Sequence, residues 1–399
     1  MFLVASLLSD GVIRQLLFAN FLASIATGIG SILVPWVLVK EIGSDRFAFL
    51  ASAVTFLLIF AMPFIGHTID RFKRKYVLIA TSVCASLVFL TLAILERGSA
   101  VYAAMLLTVF VVMQVYYNVF YTARGALAQS LVEKHNYGRL NGWLEIENQT
   151  AAFSAGTLAI LLLDLLSVHT IFSICMISLL CAGVVFSCVP ENVRRVAKSA
   201  NTGPVAPPVF DRALVLLALG GNMPFVCIML LNIVKPVFIS DVLLADAKVL
   251  AAASVCYTAG AVLSGGLSGR FLIRFGSFNT LAFAVWGFVF STALLLVFSH
   301  THVLYAASVG WGIFNSLARI SNQTIMMGIV ENHVMGRFTA HVQKWTMFIR
   351  TAVIVGFSVS FLSIPYDYSF WYVCVIALLG PLLLWGRRAV VKEPNVPAR

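Results

Sequence analysis

Mainly apolar stretches of about 20 residues recur along the whole chain. They fall at 12–39, 46–66, 75–96, 99–123, 139–164, 168–188, 213–240, 247–268, 278–299, 302–328, 336–362 and 368–387. About 20 apolar residues in a helix cover the hydrocarbon core of a bilayer. Helices are the expected form, because a helix satisfies its own backbone donors and acceptors where no water can. The pattern therefore predicts an all-α membrane protein with twelve transmembrane helices. Between the sixth and seventh stretches the chain reads PENVRRVAKSANTGPVAPPVF, from Pro190 to Phe210. This polar, basic, Pro-containing segment cannot bury apolar area and reads as a linker. The predicted organisation is a six-helix bundle over 1–189, a cytoplasmic linker over 190–211 and a second six-helix bundle over 212–399.

Composition agrees with lipid as solvent. Of the 399 residues, 60% are hydrophobic and 11% charged, and the mean hydropathy is +0.96. Soluble domains carry about 25% charged residues. The net charge of +11 does not point to nucleic acid, because the basic residues sit in short clusters between apolar runs. With both termini placed in the cytoplasm, that side collects Arg14, Arg71, Lys73, Arg74, Lys75, Lys134, Arg139, Arg194, Arg195, Lys198, Arg212, Arg270, Arg274, Arg337, Arg387, Arg388, Lys392 and Arg399. The opposite side receives Lys40, Arg46, Arg97 and Lys248. This is the asymmetry of the positive-inside rule. A polar break without a small-residue cleavage site follows the first apolar run, which reads as a membrane helix and not a signal peptide. The seven cysteines lie in or beside apolar runs without metal-ligand spacing and read as reduced packing residues.

Two loops repeat. Gly66-His-Thr-Ile-Asp70-Arg71-Phe72-Lys-Arg74-Lys75 follows the second stretch, and Gly265-Gly-Leu-Ser-Gly269-Arg270-Phe271-Leu-Ile-Arg274 follows the eighth, 199 residues later. Val132-Glu133-Lys-His135-Asn-Tyr-Gly138-Arg139 follows the fourth, and Val330-Glu331-Asn-His333-Val-Met-Gly336-Arg337 follows the tenth, 198 residues later. Two parallel six-helix repeats place a binding cavity between the halves near the bilayer midplane.

The Gly66–Lys75 loop has Gly, three residues, Asp-Arg, two residues, Arg and a final basic residue. In that position between the second and third helices it resembles the signature of the major facilitator superfamily. With the helix count, linker and degenerate second copy, the resemblance spans the whole chain. Tyr121-Thr-Ala-Arg124-Gly-Ala-Leu127, Leu131-Val132 and Arg139-Leu-Asn141-Gly142 are similar to the enterobactin-exporter and macrolide-efflux branch. That branch implies proton-driven export of siderophores or amphiphilic drugs. One departure stands in helix 5: drug antiporters of the superfamily often have a Gly-Pro-rich stretch there, and here it reads Ala155-Gly156-Thr-Leu-Ala.

The resemblance makes Gly66, Asp70, Arg71 and Arg74, taken together with Arg124, a conformational latch, in which a carboxylate and cations bond helix ends in one state and release them in another. A topology-setting charge cluster is the plainer reading. Arg350 falls near the middle of the eleventh stretch, where a cation needs a wet cavity or an acidic partner. Lys344 lies six residues nearer the cytoplasm and could snorkel. Lys235 precedes Pro236 and suits a gate or an anion contact, or an outer-interface snorkel. Trp311, Asn315, Ala318, Arg319 and Asn322 share one face of the tenth helix by spacing. Gln114, Tyr117, Asn118 and Tyr121 do the same on the fourth. Trp311, Asn315, Gln114, Tyr117 and Arg319 are the candidate cavity liners of these two stripes, although Asn and Gln also join helices and Arg319 could be a cytoplasmic clamp.

Glu145 and Glu147 are candidate proton-coupling acids in the fifth helix. Two positions apart they point roughly 200° from each other, so they form no carboxylate dyad. One is expected to pair locally, Glu145 with Arg124 at the end of the fourth helix. Glu147 is then the acid whose burial suits proton binding.

The chain has no Walker-type phosphate loop, His-Glu-x-x-His, zinc-spaced Cys pair or nucleophile elbow, so no enzyme, metal or cofactor is expected. The expected partners are the bilayer, a small-molecule substrate and protons, with the protein acting as a monomer. The candidate cavity cations outnumber the acids, which favours an anionic substrate by charge complementarity. Uptake of a siderophore or nutrient, or lysolipid flipping, are the alternatives on the same fold. The orientation is testable by alkaline phosphatase fusions: a fusion after residue 98 is expected to be active, and fusions after residues 134 or 200 inactive. The reverse pattern would overturn the assignment of sides.

Overall fold

The computed structural model describes residues 10–95, 100–190, 210–245, 247–361, 364–365 and 368–391. Within them lie twelve α-helices: α1 (Gly11–Ile42), α2 (Ser44–Arg71), α3 (Arg74–Ile94), α4 (Ala100–Leu131), α5 (Tyr137–Leu165), α6 (Val168–Cys188), α7 (Arg212–Val237), α8 (Ala247–Phe275), α9 (Ser277–Val297), α10 (Thr301–Ile329), α11 (Met335–Ser360) and α12 (Ser369–Leu384). No strand occurs among the described residues. The all-α expectation and each of the twelve apolar stretches are thus realised. The expected linker falls outside the described residues except for its ends, as do Arg97, Arg194, Arg195, Lys198, Lys392 and Arg399.

Eight helices are long and apolar enough to cross a membrane by length and composition. The remaining four are α5, α10, α11 and the short α12. The first three are diluted by polar residues that they turn inward: Asn141, Glu145 and Glu147 on α5, Asn315, Ser316 and Asn322 on α10, and Thr346 on α11 are all buried. Large apolar side chains cover the outside instead, among them Phe56, Phe60 and Phe64 on α2 and Phe283, Trp286 and Phe290 on α9. A water-soluble core would invert that arrangement.

Helix ends follow local chemistry. Asp10 accepts a hydrogen bond from the Val12 amide at 2.8 Å, and Asp211 from the Ala213 amide at 3.0 Å, each capping the helix it precedes. Gly276 alone separates α8 from α9, with φ +78° and ψ 162°, a conformation that L side chains rarely adopt. In the first copy of the repeated loop, α2 stops at Arg71 and Phe72 is extended. In the second copy α8 runs through Gly269-Arg270-Phe271 to Phe275. The Val-Glu-x-His-x-x-Gly-Arg copies, by contrast, fold identically: a 3-10 turn at Lys134–Asn136 leads into α5, and another at Asn332–Val334 into α11. Pro236 does not end α7 abruptly; the chain continues into one π-helical turn, Phe238–Val242.

The chain divides into two compact units. One comprises Met1–Glu133, Glu147–Asn201 and Asn332–His341; the other comprises Lys134–Ile146, Thr202–Glu331 and Val342–Arg399. In the first, α6 packs on α1 and α3, and α4 packs on α1, α2 and α3. In the second, α10 packs on α7, α8 and α9, and α12 packs on α7 and α9. The core of this second unit holds Trp311, Phe238, Phe288, Phe357 and Phe370. Small residues allow backbones to meet. A Cβ at Gly142 of α5 would lie 2.6 Å from Ser268 Oγ and 2.7 Å from the Gly265 carbonyl oxygen of α8. Gly142→Val is therefore expected to lower the thermal midpoint of the detergent-purified protein, at an overpacking penalty of about 1–3 kcal/mol. Gly156→Ala, where a Cβ would meet nothing within 4 Å, is expected to leave it unchanged.

Candidate functional site

Three charged clusters bring together the candidate acids and several of the candidate cations. The first is built on the α2–α3 loop. The Asp70 carboxylate accepts hydrogen bonds from the Gly336 amide at 2.8 Å, the Arg337 amide at 2.9 Å and the Arg337 Nε at 3.1 Å. Gly336 and Arg337 are the second and third residues of α11. Those are the amides that a helix's own N-cap side chain normally satisfies. Asp70 thus caps a helix 266 residues away in sequence, with the favourable end of the helix dipole reinforcing its charge.

Gly66, one turn earlier on α2, makes room for this approach: a Cβ there would lie 2.7 Å from Ala340 Cβ and 2.8 Å from Arg337 Cα. Arg74 lies 3.8 Å from Asp70 and donates to both the side-chain and backbone oxygens of Asn332. Asn332 in turn donates at 3.0 Å to the Ala126 carbonyl and to Gln129 Oε1 on α4. Arg71 stays exposed, its guanidinium 5.8 Å from the Phe72 ring centroid.

The second and third clusters share α5. Arg124 of α4 forms a buried ion pair with Glu147 at 3.2 Å and lies over the Tyr121 ring at 4.4 Å. Tyr121 donates to Asn148 at 2.5 Å. Glu145 accepts from the Ser316 hydroxyl at 2.9 Å and from Arg319 Nη1 at 3.4 Å, both on α10. The expected Glu145–Arg124 pair is therefore corrected: Arg124 takes Glu147. The reason is the helical phase between the two acids. Because they point in nearly opposite directions, the one that faces α4 is Glu147 and the one that faces α10 is Glu145. Arg124, counted with the latch, makes its described contacts with Glu147 and Tyr121.

The polar stripe on α10 is divided among separate partners. Trp311 is 1% exposed, stacks on Phe370 and donates to Thr292 at 3.0 Å, so it is a packing residue of the second unit. Asn315 donates to the Tyr257 hydroxyl of α8 at 2.8 Å. Asn322 donates to the Ala218 carbonyl and to Asn222 of α7, and Asn222 donates to Thr346 of α11. Arg319 alone among the charged and aromatic residues of the stripe keeps its side chain partly open, at 26%, with the Phe225 ring 5.6 Å away.

On α4, Gln114 is half-buried and its carbonyl accepts from Asn118 at 2.8 Å. Tyr117 is exposed and packs on Tyr121. On α11, Lys344 and Arg350 are half-buried, Lys344 with its ammonium 6.0 Å from the Trp345 ring. Lys235 is 7% exposed, with no carboxylate within ion-pair distance among the described residues. Sequence reasoning did not single out Asn332 or Ser316. Asn332 was detectable as a mismatch: it stands where the first copy of the repeat has Lys134. Ser316 has no comparable signal.

Eight helices long and apolar enough to cross a bilayer, with large apolar side chains outside and polar ones inside, define a multispan membrane protein in class. The family model described as Major Facilitator Superfamily matches residues 16–348, and the chain belongs to that superfamily. It is a transporter and not an enzyme. No curated protein sequence matches the chain. Among solved structures, a bacterial homologue of the iron transporter ferroportin in an outward-facing state is similar at TM-score 0.81 and 14% identity, over 95% of this chain and 100% of that one. The human organic anion transporter MFSD10 (TETRAN) is similar at TM-score 0.74 and 14% identity, over 94% and 98%. The proton:xylose symporter XylE is similar at TM-score 0.73 and 12% identity, over 94% and 95%. These likenesses concern the fold.

The cap that Asp70 supplies to α11 is open to a direct measurement. Asp70→Asn removes the charge from three hydrogen bonds, at a cost of about 1–3 kcal/mol. Hydrogen exchange of the 335–341 amides is expected to accelerate in that variant while α9 exchanges as in the parent; unchanged protection would show that the cap contributes nothing.

Proposed function

We propose that the protein exports a small anionic or amphiphilic organic compound, siderophore-like or drug-like, by proton-coupled alternating access across a bacterial-type inner membrane. Both termini would lie on the cytoplasmic side. The observation that carries the anionic assignment is Lys235. An ammonium buried away from water is costly unless an anion accompanies it. The protein provides none within reach among the described residues, so the counter-charge is assigned to the cargo.

Arg350, Lys344 and Arg319 supply further positive charge on α10 and α11. Glu147 and Glu145 are the acids available for coupling to protons. The Asp70, Arg74 and Gly66 cluster acts as the latch, because its bonds to the start of α11 exist in one state and must break for α11 to move. The organic anion transporter among the structural neighbours is compatible with this reading at the level of fold.

The test compares cells with and without the protein, measuring catecholate siderophores and amphiphilic carboxylates in the medium by mass spectrometry. Cells expressing the parent are expected to release more, and Lys235→Met is expected to reduce the release at least tenfold while Lys235→Arg retains part of it. Full release by Lys235→Met at equal protein abundance would remove Lys235 from the site. Accumulation inside the cells in place of release would favour uptake.

A further inference from the structure

The second copy of the α2–α3 loop keeps basic residues of the first but lacks its latch. At the offset of 199, Gly269 stands for Asp70 and Ile273 for Arg74, while Arg71 and Lys75 correspond to Arg270 and Arg274. In the first copy Asp70 and Arg74 bond to the start of α11 and to Asn332. In the second, α8 stays helical through the segment to Phe275. Arg270 and Arg274 are therefore four positions apart on one helix, neighbours on a single face.

Both arginines are exposed. Among the described residues neither has a carboxylate within ion-pair distance. The contact described for Arg274 is with the Phe275 ring, 5.5 Å from its guanidinium. Like charges at this spacing repel, so the pair favours an anion from outside the protein.

The face they occupy is turned away from the rest of their unit. On the opposite side of α8, Gly265 and Ser268 meet Gly142, and Leu272 meets Gly138, both on α5. On the arginine side Val255, Leu263 and Leu267 are exposed, and a Cβ at Gly266 would meet nothing within 4 Å. From Val255 to Leu267 the helix rises about 18 Å, enough to line one leaflet of a hydrocarbon core about 30 Å thick. The arginines begin where that apolar stripe ends, at the depth of the headgroups. A guanidinium fork can bond two phosphate oxygens at once.

We propose that this face of α8 binds one anionic phospholipid of the cytoplasmic leaflet. Arg270 and Arg274 hold its phosphate and headgroup, and an acyl chain lies along Leu267, Gly266 and Leu263. The negative surface of that leaflet supplies the ligand. This inference uses the orientation proposed above and does not depend on the anionic-cargo reading.

Native mass spectrometry of the full-length protein in detergent tests it, with phosphatidylglycerol or phosphatidylcholine added at equal concentration. The parent is expected to retain phosphatidylglycerol at least fivefold more than phosphatidylcholine. Arg270→Gln combined with Arg274→Gln is expected to abolish that preference. Arg212→Gln combined with Arg388→Gln, which removes two exposed cations elsewhere, is expected to keep it. Glycerol 1-phosphate at the same concentration is expected not to displace the lipid, since it lacks the acyl chain. The site would be overturned by a parent without preference, by an equal loss in both double variants, which marks a diffuse charge effect, or by displacement with glycerol 1-phosphate, which marks a free-anion site. All four substituted side chains are exposed, and the retention of phosphatidylcholine by each variant serves as the measure of its fold.

Discussion

Inside a bilayer there is no water to complete a hydrogen bond or to solvate a charge, so each polar group must find its partner within the protein. Helices meet that demand for the backbone in their interiors. At their ends and on their polar side chains the demand is left over, and tertiary contacts have to supply it. Asp70 satisfies two amides at the start of α11, Asn332 is bonded on its side-chain oxygen and nitrogen, and the two glutamates of α5 each meet an arginine from a different helix. The same demand explains why Lys235 is informative: in this setting a buried cation without a described counter-charge is an unusual expense.

Repetition supplied two similar loops, and divergence gave them different work. Both Val-Glu-x-His-x-x-Gly-Arg segments form a 3-10 turn followed by a helix, whose first amides have no acceptor within the helix itself. The start of α11 receives the Asp70 carboxylate from the α2–α3 loop. At the position 199 residues after Asp70 stands Gly269, where a Cβ would lie 3.1 Å from Arg139 Cγ. The acid-and-cation cluster is therefore concentrated at α11. An asymmetry of this kind lets one contact bias a two-state equilibrium without an equal contact opposing it.

Buried ion pairs contribute little net stability, because desolvation offsets most of their attraction. They do impose a strict geometric requirement, since losing one partner leaves a charge stranded. On α5 that requirement applies on two faces at once.

The helix count was legible in the sequence, because lipid enforces length and apolarity directly on the chain; the ends were less so, since α4 runs on to Leu131 and α8 to Phe275, past the apolar stretches ending at 123 and 268. The loop signature and its repeats were legible too, since backbone turns and helix starts are set by neighbouring residues. Helical periodicity showed that Glu145 and Glu147 point apart. It could not show which arginine each one meets, because that depends on how α4 and α10 lie beside α5. Nor could it reveal that Trp311 packs on Phe370 and Thr292, or that Asn332 ties Arg74 to α4, for those partners are far away in sequence. What the sequence determined by itself is the set of helices and the polar groups that they carry. Which of those groups satisfies which was decided only when the helices packed, since the pairing of buried charges is a property of distances between elements and no residue carries it alone.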